Sequence, residues 1–161
     1  MTTSTSPKIT PTAAAIWLLV VLWTGLIIWA GSDSYSLAKT SRVLLPLLRW
    51  LLPDANPRTH WEVIFALRKA AHLIEYAILA WLTWLALFST YRRALLRFAG
   101  YALVWVVVVA AFDEIRQGLV ESRTGSIVDV GIDLSGGILA LALAFAYTRF
   151  MQRKRGSVEA E

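Results

Sequence analysis

The sequence predicts an all-α fold, a polytopic membrane bundle of four transmembrane helices plus a short interfacial or re-entrant segment. Three observations predict it. Of 161 residues, 57% are hydrophobic and 17% charged, against roughly 25% charged in an ordinary soluble domain. The apolar residues are bunched into four runs without a charge, Ala13 to Ala30, Ala77 to Thr90, Phe98 to Phe112 and Leu134 to Thr148. Only helices and closed barrels satisfy every backbone group in lipid, and runs of this length suit helices. The length allows one domain, with a flexible tail over 1–12, a transmembrane domain over 13–150 and a basic-then-acidic tail over 151–161. The absence of Cys excludes a disulfide framework and a thiol nucleophile.

The first span is expected from about Ala13 to Ala30, ending at Gly31-Ser32-Asp33-Ser34. It is longer than the apolar region of a signal peptide and has no small-x-small cleavage site before the next charges, so it reads as a retained helix. Val43 to Leu52 is apolar but broken by Pro46 and Arg49; ten residues of helix reach only about 15 Å, half the hydrocarbon thickness. That piece should lie in the interface or dip in and return.

Pro53-Asp54-Ala55-Asn56-Pro57 is a turn cluster, and Thr59-x-x-Glu62 has the spacing of a capping box. The second span should therefore start near His60 and run to about Ser89. The third runs from about Ala94 to Gly118, and the fourth opens at Ser126 and reaches about Phe150. The eight Trp residues read as interfacial anchors.

Four spans put both termini on one side. That side would carry Lys8, Arg92, Arg93, Arg97, Arg149, Arg153, Lys154 and Arg155 in short, dense clusters. The positive-inside bias makes it cytoplasmic. The expected location is a bacterial cytoplasmic (inner) membrane, multi-pass, with the opposite end of the bundle facing outward. A formal charge of +5 then reflects topology and anionic lipid, and nucleic acid is not an expected partner.

Polar residues converge on that outward end. Lys69, His72 and Tyr76 share one helix face. Asp113, Glu114 and Gln117 close the third span, with Arg116 and Arg123 nearby. Asp129 and Asp133 lie on one face of the fourth, followed by Gly136 and Gly137. Each charge inside the hydrocarbon costs roughly 2.5–3.5 kcal/mol on insertion scales, so such groups are expected to face one another or a wet cavity.

The helix Lys69-x-x-His72-x-x-Glu75-Tyr76, followed by Asp113-Glu114-x-x-Gln117 and then Arg123, Ser126 and Asp129, resembles the VanZ-like family of small bacterial membrane proteins. The resemblance covers roughly Val63 to Ala144. This chain has Asp133 where the family pattern usually has Asn. The resemblance implies a polytopic cell-envelope protein, the founding members being associated with glycopeptide (teicoplanin) resistance, and it implies no established reaction.

From the groups themselves, two functions are expected. The first is binding, with or without processing, of an anionic lipid-linked or cell-wall intermediate. His72, Glu114 and Asp113 are the candidate proton-moving groups, and Lys69, Tyr76, Gln117, Arg123, Asp129 and Asp133 the candidate substrate-binding ones. The second is a non-catalytic scaffold or partner-binding protein whose polar network is structural. In that version Ser126-x-x-Asp129 is only a cap, Asp113 only an ion pair, and the glycines only permit close packing. A carboxylate set with His72 suits a divalent metal in composition, but its spacing matches no metal motif, and no metal site is assigned. No cofactor is named, and no nucleotide-binding, hydrolase-elbow or zinc-protease motif is present.

Overall fold

The computed structural model describes residues 10–32, 37–91, 95–119 and 126–158. Its helices in chain order are α1 (Pro11–Ala30), α2 (Leu37–Leu51), α3 (Pro57–Tyr91), α4 (Leu95–Gly118) and α5 (Ile127–Val158). Four of them, α1, α3, α4 and α5, are long and apolar enough to cross a membrane. Their outer faces leave Leu18, Val21 and Leu22, Val104 and Val108, and Leu139 and Leu143 exposed, an apolar surface that only lipid or another apolar partner covers.

α1 starts two residues earlier than the uncharged run because Thr10 caps it: its hydroxyl accepts the Ala13 N–H at 3.2 Å, with Pro11 in the first turn. The N–H of Gly31 returns to the Ile27 carbonyl at 2.8 Å.

α2 is longer than the apolar run expected there and continues through Pro46. Its 15 residues reach about 22 Å, still short of a span. It has three faces. Ser41 and Leu48 are buried. Lys39, Arg42 and Arg49 form an exposed basic stripe, and Val43, Leu47, Trp50 and Leu51 an exposed apolar one. That pattern suits the boundary between headgroups and chains.

α3 begins at Pro57, not near His60. The cap is Asn56, whose Oδ1 accepts the Thr59 N–H at 2.8 Å and the Thr59 hydroxyl at 3.1 Å. Asn is among the best N-caps and Pro is preset for the first helical position, so Asn56-Pro57 starts the helix ahead of the expected Thr59–Glu62 box. Glu62 instead takes Arg58 at 3.0 Å, in an exposed pair. At 35 residues, α3 is about 52 Å long, and its first half extends the polar end of the bundle.

α3 is the hub and packs against each of the other helices. The cross-contacts fix the directions. Trp17 Nε1 donates to Thr90 Oγ1 at 3.1 Å, and Trp23 Nε1 to the Glu75 carbonyl at 2.9 Å, so α1 and α3 are antiparallel. Trp17 and Trp23 thus join helices and pack on the core, whereas anchoring in the interface was expected of them. Along α3 and α5 the partners rise together, Lys69 with Asp129, His72 with Asp133, and Leu73 with Gly136, so these two helices run parallel. A Cβ on Gly136 would strike the backbone carbonyl of Leu73. Only glycine permits that approach. The core beneath the polar end is formed by Tyr76, Leu79, Ala80, Ala102, Val106, Val109, Ala110 and Ala144, among others.

Candidate functional site

The alternating directions collect one end of every span: the C-terminal ends of α1 and α4, the first half of α3 and the start of α5. Three linked clusters form there.

The first lies at the rim, where Lys69 Nζ meets Asp129 Oδ1 at 2.7 Å. Lys69 is half exposed, and a pair in that setting contributes little stability. The second is deeper. His72 Nδ1 lies 3.2 Å from Asp133 Oδ1, with Asp133 only 1% exposed. Glu114, also buried, comes from α4 to the same place: one ligand-type atom from each of His72, Glu114 and Asp133 lies within 4.8 Å of the others. Glu114 Oε2 accepts the backbone N–H of Ser126 at 2.6 Å. Its other oxygen, Asp133 Oδ2 and the Tyr76 hydroxyl are buried and have no hydrogen-bond partner among the described residues.

The third cluster centres on Asp113. Arg116 Nη2 donates to its Oδ1 at 2.7 Å and Gln117 Nε2 to its Oδ2 at 2.6 Å, while Arg116 also donates to the Ile28 carbonyl at 2.7 Å. Both carboxylate oxygens are thereby engaged, and the end of α1 is fastened to α4. Gly31 allows this, since a Cβ there would meet the Asp113 carboxylate and come within 2.6 Å of Arg116 Nη2.

Of the nine residues singled out from sequence, Lys69, His72, Tyr76, Asp113, Glu114, Gln117, Asp129 and Asp133 all fall in this end of the bundle. The ninth, Arg123, lies outside the described residues. Asp129 is not the capping partner of Ser126, because Glu114 holds the Ser126 N–H and Asp129 turns to Lys69.

Two residues absent from that set line the same space. A cleft of about 230 Å³ is bordered by Ala30, Gly31, Thr40, Leu44, Leu67, Arg68, Ala71, His72, Glu75 and Asp113. Arg68, His72 and Glu75 are spaced i, i+4 and i+7, so they share a face of α3 beside the Lys69–Tyr76 face. That second periodicity was the signal available for Arg68 and Glu75. Arg68 Nη1 donates to Thr40 Oγ1 of α2 at 3.3 Å, which brings α2 to the cleft as a wall.

The sequence matches the model of the VanZ/LLP1 family over residues 16–149. The chain belongs to the VanZ/LLP1 family. The match extends well before and somewhat beyond the resemblance carried by Val63 to Ala144, and takes in α1 and α2, which supply the Gly31 and Thr40 sides of the cleft. No curated protein and no solved structure matches the chain. For this VanZ/LLP1 protein the chemistry therefore rests on its own side chains. The site offers one imidazole, several carboxylates, a guanidinium at the cleft and a phenol, all beside an apolar bundle.

Proposed function

We propose that the polar end of this VanZ/LLP1 protein binds the head of an anionic lipid-linked or cell-wall intermediate. The observation that carries the proposal is the cleft, in which apolar Ala30, Leu44, Leu67 and Ala71 stand beside Arg68, His72, Glu75 and Asp113. Whole-ligand pockets are usually about 300–1,000 Å³. A cleft of about 230 Å³ accepts a phosphate-sized head and leaves the chain of a lipid outside, against the apolar faces of the bundle. Arg68 supplies the charge-assisted hydrogen bonds a phosphate or carboxylate needs. Lys69, at the rim, adds a second cation by exchanging Asp129 for the ligand. His72 and Glu75 are the groups able to move a proton if binding is followed by cleavage or transfer. With both termini in the cytoplasm the head would enter from the outer leaflet.

The test compares a polyprenyl phosphate with the matching neutral polyprenol, binding to the full chain in mild detergent. We expect the phosphate to bind and the alcohol not to, with Arg68→Ala weakening the phosphate by about tenfold, the equivalent of 1.4 kcal/mol. Equal binding of both lipids, or an unchanged affinity in a monodisperse Arg68→Ala protein, overturns the proposal.

One observation favours the structural alternative for part of the network: Asp113 has both oxygens occupied and Arg116 braces α1. In that version the site is scaffolding, the phosphate binds no better than the alcohol, and His72→Ala lowers stability alone.

A further inference from the structure

Independently of that reading, we infer that His72, Glu114 and Asp133 form a site for one divalent cation. The three residues come from three helices, α3, α4 and α5, yet each places a nitrogen or carboxylate oxygen within 4.8 Å of the others. First-row metal ions sit about 2.0–2.2 Å from such donors, so donors around one ion are no more than about 4.4 Å apart. Neighbouring donors at tetrahedral or right angles lie roughly 3.0–3.6 Å apart, so the triad, within 4.8 Å as it stands, closes onto an ion by about an ångström.

A second observation points to a ligand. Asp133 is 1% and Glu114 7% exposed, and each keeps one carboxylate oxygen, Oδ2 and Oε1, with no hydrogen-bond partner among the described residues. A buried carboxylate oxygen facing nothing is costly. Among the described residues, Lys69 is paired with Asp129 and Arg116 with Asp113, so neither of these cations removes that cost. A divalent ion does: it accepts one oxygen from each carboxylate and neutralises both.

The donor set also selects the ion. One imidazole with two carboxylates suits Mn²⁺ or Zn²⁺, whereas Ca²⁺ asks for six to eight oxygens. Three protein ligands leave positions open, as in catalytic metal sites. The phenol of Tyr76, one turn beyond His72 on the same face of α3, is fully buried and has no hydrogen-bond partner among the described residues. It is a proton donor on the buried side of His72 for an oxygen bound at such a position. The ion would also link α3, α4 and α5, so its binding should stabilise the bundle.

The experiment uses the full chain in mild detergent, stripped with a chelator and titrated with Mn²⁺ alone. Pulsed electron paramagnetic resonance reads coupling to imidazole nitrogen. We expect one saturable Mn²⁺ per chain, a nitrogen coupling, and a higher melting temperature at saturation. His72→Gln and Asp133→Asn, which keep hydrogen-bonding side chains of similar size, should each weaken Mn²⁺ by about tenfold or more, and His72→Gln should abolish the coupling. Arg58→Ala, in the exposed pair with Glu62, should change nothing. Absence of saturable Mn²⁺ binding below millimolar concentration overturns the inference, as does a bound Mn²⁺ lacking nitrogen coupling in the unaltered protein. Undiminished binding in a monodisperse His72→Gln variant does the same. No lipid enters the measurement, so its outcome is separate from that of the phosphate-binding test.

Discussion

Glu114 Oε2 accepts the backbone N–H of Ser126 at 2.6 Å. Ser126 precedes the first residue of α5, and its own hydroxyl accepts the Val128 N–H at 3.2 Å, so α5 is capped from two sources. In a capping box the acid at the third helical position closes back on the cap residue. Here that position is Asp129, which is drawn to Lys69, and the acid on the preceding helix takes its place. The same exchange puts Glu114 beside His72 and Asp133.

We predict that Glu114→Ala lowers the stability of the bundle by about 1 kcal/mol, the lower end of the cost of an unsatisfied N–H, because Ser126 is only partly buried. Glu114→Gln retains an acceptor and should cost less than about 1 kcal/mol, chiefly the charge lost at the start of α5. Thermal or denaturant unfolding in micelles separates the two. Equal losses would mean that charge, and not the hydrogen bond, matters there.

Gly136→Ala should destabilise by about 1–3 kcal/mol, the usual range for overpacking, because the new methyl meets the Leu73 carbonyl. Gly100→Ala and Gly131→Ala place theirs where nothing lies within 4 Å, and should be neutral or stabilising by up to about 1 kcal/mol. A silent Gly136→Ala would show that α3 and α5 are free to separate.

Removing Asp113 strands Arg116 between α4 and the Ile28 carbonyl. Breaking a buried pair from one side costs about 3–5 kcal/mol, and Arg116 is about a third exposed, so Asp113→Ala is predicted near the lower end. Asp113→Asn keeps an acceptor and should lose less. Unfolding midpoints with each variant, and with Arg116→Ala, check the order.

The chain has no native Cys, which makes topology directly testable. With both termini cytoplasmic, a Cys at Tyr91 should resist an impermeant thiol reagent applied to intact cells, and one at Asp54 should react. Reversed labelling would turn the polar end toward the cytoplasmic leaflet and change which lipids can reach it.

The four spans were legible because charge and hydropathy separate cleanly along the chain, and the polar end because Lys69, His72, Asp113, Glu114, Asp129 and Asp133 sit where spans begin or stop. Pairing was not. His72 and Lys69 are three apart on α3 while Asp133 and Asp129 are four apart on α5, and only a parallel register makes them partners. Nothing local in the sequence states that register; the Gly136 approach to Leu73 is what sets it. Asn56 was overlooked as a cap because Thr59 and Glu62 offered a spacing motif, although Asn before Pro is the stronger start. Arg68 lies on a second periodic face of α3 with His72 and Glu75, and that face shows as a site only once α2 is packed against it.

α2 is attached to the bundle chiefly through α3. Arg68 reaches Thr40 at one end, and His60 Nε2 lies 3.1 Å from the Leu52 carbonyl at the other. Pro46, in its interior, has no N–H to give to the turn before it. Packing chiefly on one neighbour, with a weakened middle, leaves α2 less firmly held than the spans, and it is also a wall of the cleft. If the cleft holds a lipid head, the lifting of this one helix would open its way to the membrane while the four spans stay closed.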